Sequence, residues 1–254
     1  MATGSDPPGQ KNQMKINILT IFPEMFAPLK MSMLGRAAEN GILEFDITDI
    51  RDYTTDKHNR VDDTPYGGGA GMVMQVQPVM DAYDAKGYGG RVIYMSPRGT
   101  VLSEDLARDL AAEDEITMIC GHYEGIDQRV LDRLGAEEVS IGDYVLTGGE
   151  LPAMVLIDTV ARFIDGVLAG EDSVNDESIY SGLLEYPQYS KPREYDGDEV
   201  PEILLSGNHG EIDLWRWEQS LKLTKERRPD LFEKYLKSEP DLSKKEKAIL
   251  EKYR

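Results

Sequence analysis

The stretch Ser140-Ile-Gly-Asp-Tyr-Val-Leu-Thr-Gly-Gly-Glu-Leu151 carries three glycines and two carboxylates between an apolar strand pattern and an apolar helix pattern. Because glycine has no Cβ atom, its backbone can approach a bound molecule closely or adopt a positive φ. Together with Asp143 and Glu150, such a loop is typical of a ligand site, although a tight strand-to-helix turn uses the same residue types. The loop alone therefore leaves two interpretations open, a binding site and a turn.

Two further predicted strands end in loops of the same kind. Arg91-Val-Ile-Tyr-Met95 runs into Ser96-Pro-Arg-Gly-Thr100, and Ile116-Thr-Met-Ile-Cys120 runs into Gly121-His-Tyr-Glu-Gly-Ile-Asp127. In an open α/β sheet, parallel strands deliver the loops that follow them to one edge, where ligands bind. We therefore expect the three loops to meet. None has the spacing G-x-G-x-x-G or G-x-x-x-x-G-K-[ST], which disfavours a dinucleotide or P-loop triphosphate site.

Cysteine and histidine usage gives no indication of redox or zinc chemistry. The one cysteine, Cys120, cannot form an intramolecular disulfide, and its place at the end of an apolar strand favours a packed thiol. The three histidines, His58, His122 and His209, are dispersed and lack the spacing of zinc ligands. We expect neither a redox centre nor a structural metal.

The net charge of −19 argues against indiscriminate binding to nucleic acid, because an acidic surface opposes phosphate attraction. The charge is uneven, since residues 177–254 hold 14 Lys and Arg against 17 Asp and Glu. The segment from Trp215 to Arg228 has five basic and two acidic side chains. If RNA is a partner, this segment is expected to contact phosphate; an ordinary solvated helix is the alternative interpretation.

Alternating strand and helix patterns must position the three loops. The further strands are expected at 15–22 and 43–50, and the helices at 24–39, 77–86, 103–112 and from Glu150 onward. This alternation predicts βαβ units and a mainly parallel sheet. Ser103 is the predicted N-cap of the helix that follows the first loop.

The chain of 254 residues is long enough for two domains. Residues 1–13 lack apolar periodicity and read as an added leader. We assign 14–168 to a domain that carries the three loops, 169–176 to a polar linker, and 177–254 to a small, mostly helical domain. No apolar run approaches the roughly 20 residues of a membrane span, and no signal peptide is visible, so a soluble, cytoplasmic protein is expected.

Two more motifs, Arg60-Val-Asp-Asp-Thr-Pro-Tyr-Gly-Gly-Gly69 and Leu204-Leu-Ser-Gly-Asn-His209, flank the loops. With Tyr94-Met-Ser-Pro-Arg-Gly99, the Gly121–Asp127 loop and the segment from Ser140 to Met154, they resemble, in order, the bacterial tRNA (guanine-N1)-methyltransferase family. The resemblance implies an α/β fold of SPOUT type, whose mainly parallel sheet contains a deep trefoil knot, with a small helical C-terminal domain that binds tRNA. It implies methyl transfer from S-adenosylmethionine to N1 of guanosine 37, next to the anticodon.

The resemblance also implies a cofactor pocket made by the three loops. Its residues are Tyr94, Met95, Ser96 and Pro97 from the first loop, Gly121, Tyr123 and Glu124 from the second, and Ser140, Ile141, Gly142, Tyr144, Val145, Leu146, Gly148 and Gly149 from the third. Backbone groups of such loops can bind the adenine edge, and a carboxylate such as Glu124 suits the cationic methionine end. Arg98 and His122 stand where relatives often have Gln and Arg, which leaves their contacts open.

The implied reaction requires a base, because guanine N1 carries a proton. The family has an Asp before a Ser in its interdomain segment, and the matching residue here is Glu177, preceded by Asp176. We assign the base to Glu177, with Asp176 as the alternative. Arg162 matches a family arginine that would stabilise negative charge on guanine O6, a role that suits a planar guanidinium.

Substrate contacts and assembly follow from the same resemblance. His58, Asp62 and the glycine loop from Pro65 to Gly71 match residues near the target base and the tRNA. The implied substrate is a tRNA with G at positions 36 and 37, bound to a homodimer whose active site lies between the subunits. The resemblance also associates Mg²⁺ with the reaction, but no carboxylate cluster in the sequence provides a binding site for it.

Three other functions remain as alternatives. A SPOUT methyltransferase for another RNA position would share these motifs. If the substitution at position 177 has left the site without a working base, the protein would bind a cofactor or RNA without catalysing transfer. A nicotinamide oxidoreductase predicts affinity for NAD and is disfavoured by the missing glycine fingerprint.

Overall fold

The computed structural model describes residues 13–168 and 181–253. These residues form two compact units, one within 13–168 and one within 181–253. The predicted leader lies almost entirely outside the described residues, and the predicted linker 169–176 lies wholly outside them, as do Asp176 and Glu177. The domain boundaries drawn from the sequence therefore stay predictions.

A five-stranded sheet forms the centre of the first unit. The strands of this unit are β1 (Met14–Thr20), β2 (Leu43–Asp49), β3 (Asp62–Asp63), β4 (Val73–Met74), β5 (Arg91–Val101), β6 (Glu115–Ile119) and β7 (Glu137–Ser140). The large sheet has the order β2-β1-β6-β5-β7, and all its neighbouring strands are parallel. The predicted parallel α/β fold is confirmed. The short strands β3 and β4 form a separate antiparallel pair.

Helices cover both faces of the sheet, as a parallel sheet requires. They are α1 (Ser32–Glu39), α2 (Val76–Lys86), α3 (Glu104–Ala111), α4 (Gln128–Leu134) and α5 (Glu150–Ala161). Side chains alternate between two buried clusters along the strands, since Ile93 packs with α1, α3 and α5 while Tyr94 packs with α2 and α4. The two clusters bury both faces of the sheet, whose carboxyl ends carry the loops.

Two local predictions about helices have different outcomes. The single helix expected at 24–39 is wrong: a 3-10 helix, Pro23–Lys30, precedes α1. Pro28 lies inside the first segment and lacks the N–H of a regular helix, and Ser32 has a positive φ of 53° at the junction. The predicted N-cap is confirmed, because Ser103 Oγ accepts a hydrogen bond from the Leu106 N–H at 3.3 Å.

The second unit is mostly helical. Its helices are α6 (His209–Arg227), α7 (Pro229–Lys237) and α8 (Lys244–Leu250), preceded by a hairpin of β8 (Glu194–Tyr195) and β9 (Asp198–Glu199). Its core contains Leu183, Leu221, Phe232, Tyr235 and Leu250. Helix α6 begins at His209 and is capped by Asn208, whose Oδ1 accepts a hydrogen bond from the Glu211 N–H at 3.4 Å. Among the residues described, no helix is both long and apolar enough to span a membrane.

Candidate active site

The three predicted loops meet around one cavity at the carboxyl ends of β5, β6 and β7. The cavity has a volume of about 350 Å³. Every residue that the sequence assigned to the cofactor pocket lines it: Tyr94, Met95, Ser96, Pro97, Gly121, Tyr123, Glu124, Ser140, Ile141, Gly142, Tyr144, Val145, Leu146, Gly148 and Gly149. The expectation that the three loops converge is confirmed. Their role in binding a cofactor stays a prediction.

The first loop is a bulge in β5 rather than a loop after it. Met95 and Thr100 both pair with Val139 of β7, so the four residues between them leave the ladder, and three of them, Ser96, Pro97 and Arg98, line the cavity. A side chain at Gly99 would collide with the backbone of Glu138. The guanidinium of Arg98 donates two hydrogen bonds, each 3.1 Å, to the Glu138 carboxylate and joins the bulge to β7.

The second and third loops contact each other through their glycines. The Gly149 N–H donates to the Gly121 carbonyl oxygen at 2.8 Å, and His122 forms an antiparallel bridge with Gly148. A Cβ atom added at Gly149 would lie 2.8 Å from both Cys120 Cα and Gly121 N. The close approach of backbone that the sequence predicted for this loop is therefore present, and it requires glycine at position 149.

Buried polar groups lie behind this contact. Glu150, the first residue of α5, is only 1 % exposed, and its carboxylate is hydrogen-bonded to Thr20 and His122. Burial, and then the charge of Glu150, raise the pKa of the Cys120 thiol well above its ordinary value. The thiol is therefore neutral at physiological pH, as expected for a packed cysteine rather than a nucleophile.

The second loop also runs beside the glycine-rich segment that precedes β4. The Glu124 N–H donates to the Met72 carbonyl at 3.0 Å, and the Met74 N–H donates to the Gly125 carbonyl at 2.9 Å. A Cβ atom at Gly71 would lie 2.5 Å from Cγ and Oε1 of Glu124. The glycine-rich segment, which was expected to lie near the tRNA, is thus in contact with Glu124, whose side chain lines the cavity.

Gly71→Ala is expected to weaken binding of S-adenosylhomocysteine, the demethylated cofactor, about tenfold. The new methyl group would displace the Glu124 side chain, and the φ of +88° at position 71 is unfavourable for alanine. Gly67→Ala is a matched control, because Gly67 has the same φ of +88° but no heavy atom within 4 Å of an added Cβ. Calorimetric titration of both variants measures the difference; equal affinities would show that Glu124 does not contribute.

The other predicted site residues do not line the cavity. Arg162 follows the last residue of α5 and is partly buried, Asp62 lies in β3 and is partly buried, and His58 is exposed with its N–H donating to Asp56 Oδ1 at 2.8 Å. Within 13–168 and 181–253, no group of three or more His, Cys, Asp or Glu side chains is arranged to hold a metal ion.

Several lining residues were not predicted: Arg98, His122, Gly125, Ile126, Gln128, Val139, Thr147 and Pro152. Most lie inside or next to the quoted motifs, so their position in the sequence was the available signal. Val139, which directly precedes Ser140, pairs with both Met95 and Thr100 of β5, and the sequence does not indicate this double pairing.

The fold and the cavity define a parallel α/β protein with a ligand site made by three loops at one edge of the sheet. The family described as tRNA (Guanine-1)-methyltransferase TrmD matches residues 14–234, and the chain belongs to this family. It is therefore a methyltransferase of a family that uses S-adenosylmethionine.

Curated relatives match this chain over most of their own length. A protein named tRNA (guanine-N(1)-)-methyltransferase from Ruminiclostridium cellulolyticum is 55% identical over 226 residues, which cover 87% of this chain and 97% of the relative. Proteins of the same name from Clostridium perfringens and Desulforamulus reducens are each 54% identical, over 231 and 243 residues. These matches cover 90% and 93% of this chain, and 98% and 94% of the relatives.

Proposed function

We propose that this protein transfers the methyl group of S-adenosylmethionine to N1 of guanosine 37 in tRNAs that carry G at positions 36 and 37. Family membership supports methylation of guanine N1 in tRNA. The observation that carries the site assignment is that every residue predicted for the cofactor lines one cavity. A cytoplasmic location belongs to the same proposal, because the substrate is tRNA.

The cavity suits a molecule of the size and charge of S-adenosylmethionine. Its volume of about 350 Å³ lies in the range of small-molecule sites. Glu124 supplies a carboxylate for a cationic group. When bound there, the cofactor supplies a methyl group on a positively charged sulfur.

The chain's own residues would prepare the guanine. In the proposed reaction the bond from sulfur to the methyl carbon breaks as the bond from N1 to that carbon forms, and the N1 proton passes to the Glu177 carboxylate. Asp176 remains the alternative base. Arg162 would stabilise the negative charge that develops on guanine O6 as N1 loses its proton. Mg²⁺ stays an open part of the proposal, with no site assigned to it.

Arg162→Ala is expected to lower the single-turnover rate about 10²- to 10³-fold, the range for loss of one donor to a developing oxyanion. Binding of S-adenosylhomocysteine should stay within about threefold of wild type, because Arg162 does not line the cavity. Arg162→Lys keeps the charge without the planar fork and should recover part of the rate. Unaltered single-turnover rates in the alanine variant would remove Arg162 from the mechanism.

We also propose that the protein is a homodimer with its active site between the subunits. Apolar side chains beside the cavity support this, since Val145 is 81% exposed and Leu146, Leu151 and Val155 are between 40% and 49% exposed. Exposed apolar patches of this kind mark interaction surfaces. Sedimentation equilibrium should give twice the chain mass of 28.5 kDa; a monomer mass at micromolar concentration would contradict the proposal.

The proposed tRNA contacts lie in both units. His58 and Asp62 of the first unit keep the role that the family resemblance implies. In the second unit, the Arg216 guanidinium lies 5.0 Å from the centre of the Tyr186 ring, and Tyr189, which is 48% exposed, lies 6.4 Å from Trp215. Cations and exposed aromatic rings together suit RNA phosphates and bases, which supports RNA contact over a merely solvated helix.

The trefoil knot is the remaining part of the proposal. β7 lies beyond β5 at the edge of the sheet, yet the loop after β7 ends on the loop after β6. The chain must therefore cross the carboxyl end of β5, where the first loop bulges outward. This crossing supports the knotted path that the resemblance implies.

The test of the proposed function is methylation of a tRNA carrying G36 and G37 with S-adenosylmethionine as donor, followed by mapping of the modified nucleotide. We expect 1-methylguanosine at position 37. A methyl group on another nucleotide would indicate a SPOUT enzyme for a different RNA position. Cofactor binding without transfer to any tRNA would indicate a catalytically silent binding protein.

A further inference from the structure

A buried carboxylate lies directly behind the cavity and has no role in the proposed reaction. Glu150 is 1% exposed and does not line the cavity. Thr20 Oγ1, at the end of β1, donates to Glu150 Oε1 at 2.7 Å, and Glu150 Oε2 lies 2.7 Å from His122 Nε2. These three residues come from β1, the second loop and the start of α5, and are far apart in the sequence.

The hydrogen bond between Thr20 and Glu150 has a defined direction. The Thr20 hydroxyl also accepts from the Phe22 N–H at 2.9 Å, so its own hydrogen is left to donate to Glu150. The second hydrogen bond joins Glu150 Oε2 and His122 Nε2, and the tautomer of the imidazole decides which of the two donates. A buried carboxylate is costly without such partners. Glu150 therefore holds the imidazole in one orientation.

His122 is the member of this group that reaches the cavity. Its ring packs edge-on against Phe22, with 5.0 Å between ring centres, and it lines the cavity wall. Its Nε2 occupies the space in which a side chain at Gly148 would lie. The imidazole therefore lies against Gly148, at the bridge that joins the second and third loops.

From this geometry we propose that Glu150 is a positioning residue. Through His122 it sets the distance between the second and third loops, and so the affinity for the methyl donor. The inference rests on the proposed function, because it concerns the same cavity. The two are tested separately, because this inference concerns the affinity of each variant relative to the wild-type protein, whereas the proposed function concerns binding by the wild-type protein itself.

The test compares variants by calorimetric titration with S-adenosylhomocysteine and by single-turnover rate at saturating donor. Glu150→Ala should raise the Kd at least about tenfold while the rate at saturation stays within about threefold. Glu150→Gln can accept from the Thr20 hydroxyl and donate to His122 Nε2 when the imidazole carries its hydrogen on Nδ1, so its Kd should stay near that of wild type. A role in stability alone would lower the melting temperature without this separation of affinity from rate.

A double-mutant cycle tests the route through His122. In a His122→Ala background, Glu150→Ala should cause little further loss of affinity, because the side chain on which it acts is absent. Additive losses would overturn that route. A Glu150→Gln variant as weak as Glu150→Ala would overturn positioning by hydrogen bonds in favour of an effect of charge.

Thr20→Val provides a milder variant if Glu150→Ala does not fold. It has nearly the same shape and removes the hydroxyl that donates to Glu150 Oε1 and accepts from the Phe22 N–H. We expect a Kd between those of wild type and His122→Ala. Wild-type affinity in Thr20→Val or in a folded Glu150→Ala would overturn the proposal. A wild-type protein that binds no S-adenosylhomocysteine would instead contradict the proposed function.

Discussion

Gly149→Ala is expected to weaken binding of S-adenosylhomocysteine about 100-fold, or by ~2.7 kcal/mol. The added methyl group would lie 2.8 Å from Cys120 Cα and Gly121 N, which are backbone atoms and cannot rotate away. The second and third loops would have to separate, and the hydrogen bond from the Gly149 N–H to the Gly121 carbonyl would break. Gly149 has φ −82° and ψ −9°, which alanine adopts readily, so the effect would be steric.

The control for this prediction is Gly210→Ala in α6. An added Cβ there has no neighbour closer than 3.9 Å, and the position belongs to the second unit. Calorimetry should find wild-type affinity in the control and a large loss in Gly149→Ala. If Gly149→Ala binds within about threefold of wild type, the contact between the two loops does not shape the cofactor site.

Glu177→Gln is expected to reduce the single-turnover rate on the order of 10²- to 10⁴-fold, the range for loss of a general base. Glutamine has the same length but cannot accept the N1 proton. Binding of S-adenosylhomocysteine should not change, because the base acts on the guanine. Rapid-quench measurements at saturating tRNA and donor isolate this chemical step.

Asp176→Asn is the matched variant for the base assignment. It removes the neighbouring carboxylate and should keep most of the wild-type rate if Glu177 is the base. The opposite pattern, with a fast Glu177→Gln and a slow Asp176→Asn, would move the base to Asp176. Wild-type rates in both variants would exclude this acidic pair as the source of the base.

The sequence predicted the convergence of the three loops because glycine content and strand alternation are local signals. Pairing across the sheet is not local, which explains the main error at the first loop. Pro97 and Gly99 read as the end of a strand, whereas β5 continues to Val101 by pairing again with Val139 of β7. The single helix expected at 24–39 was wrong because Pro28 favours a 3-10 segment over a regular helix.

The hydrogen-bonded group behind the cavity could not be predicted from the sequence. Glu150 read as a loop carboxylate that could face a ligand, yet it is buried and pairs with Thr20, 130 positions earlier in the chain. Nothing in the spacing of Thr20 or His122 indicates this contact. It exists because β1 and β6 are neighbours in the sheet and end side by side.

The central claim is that the three loops form the binding site for the methyl donor. Calorimetric titration of the 254-residue chain with S-adenosylhomocysteine tests it most directly. We predict saturable binding that Gly149→Ala reduces and Gly210→Ala leaves unchanged. Absence of binding at saturating ligand, or equal binding by wild type and Gly149→Ala, would contradict the claim.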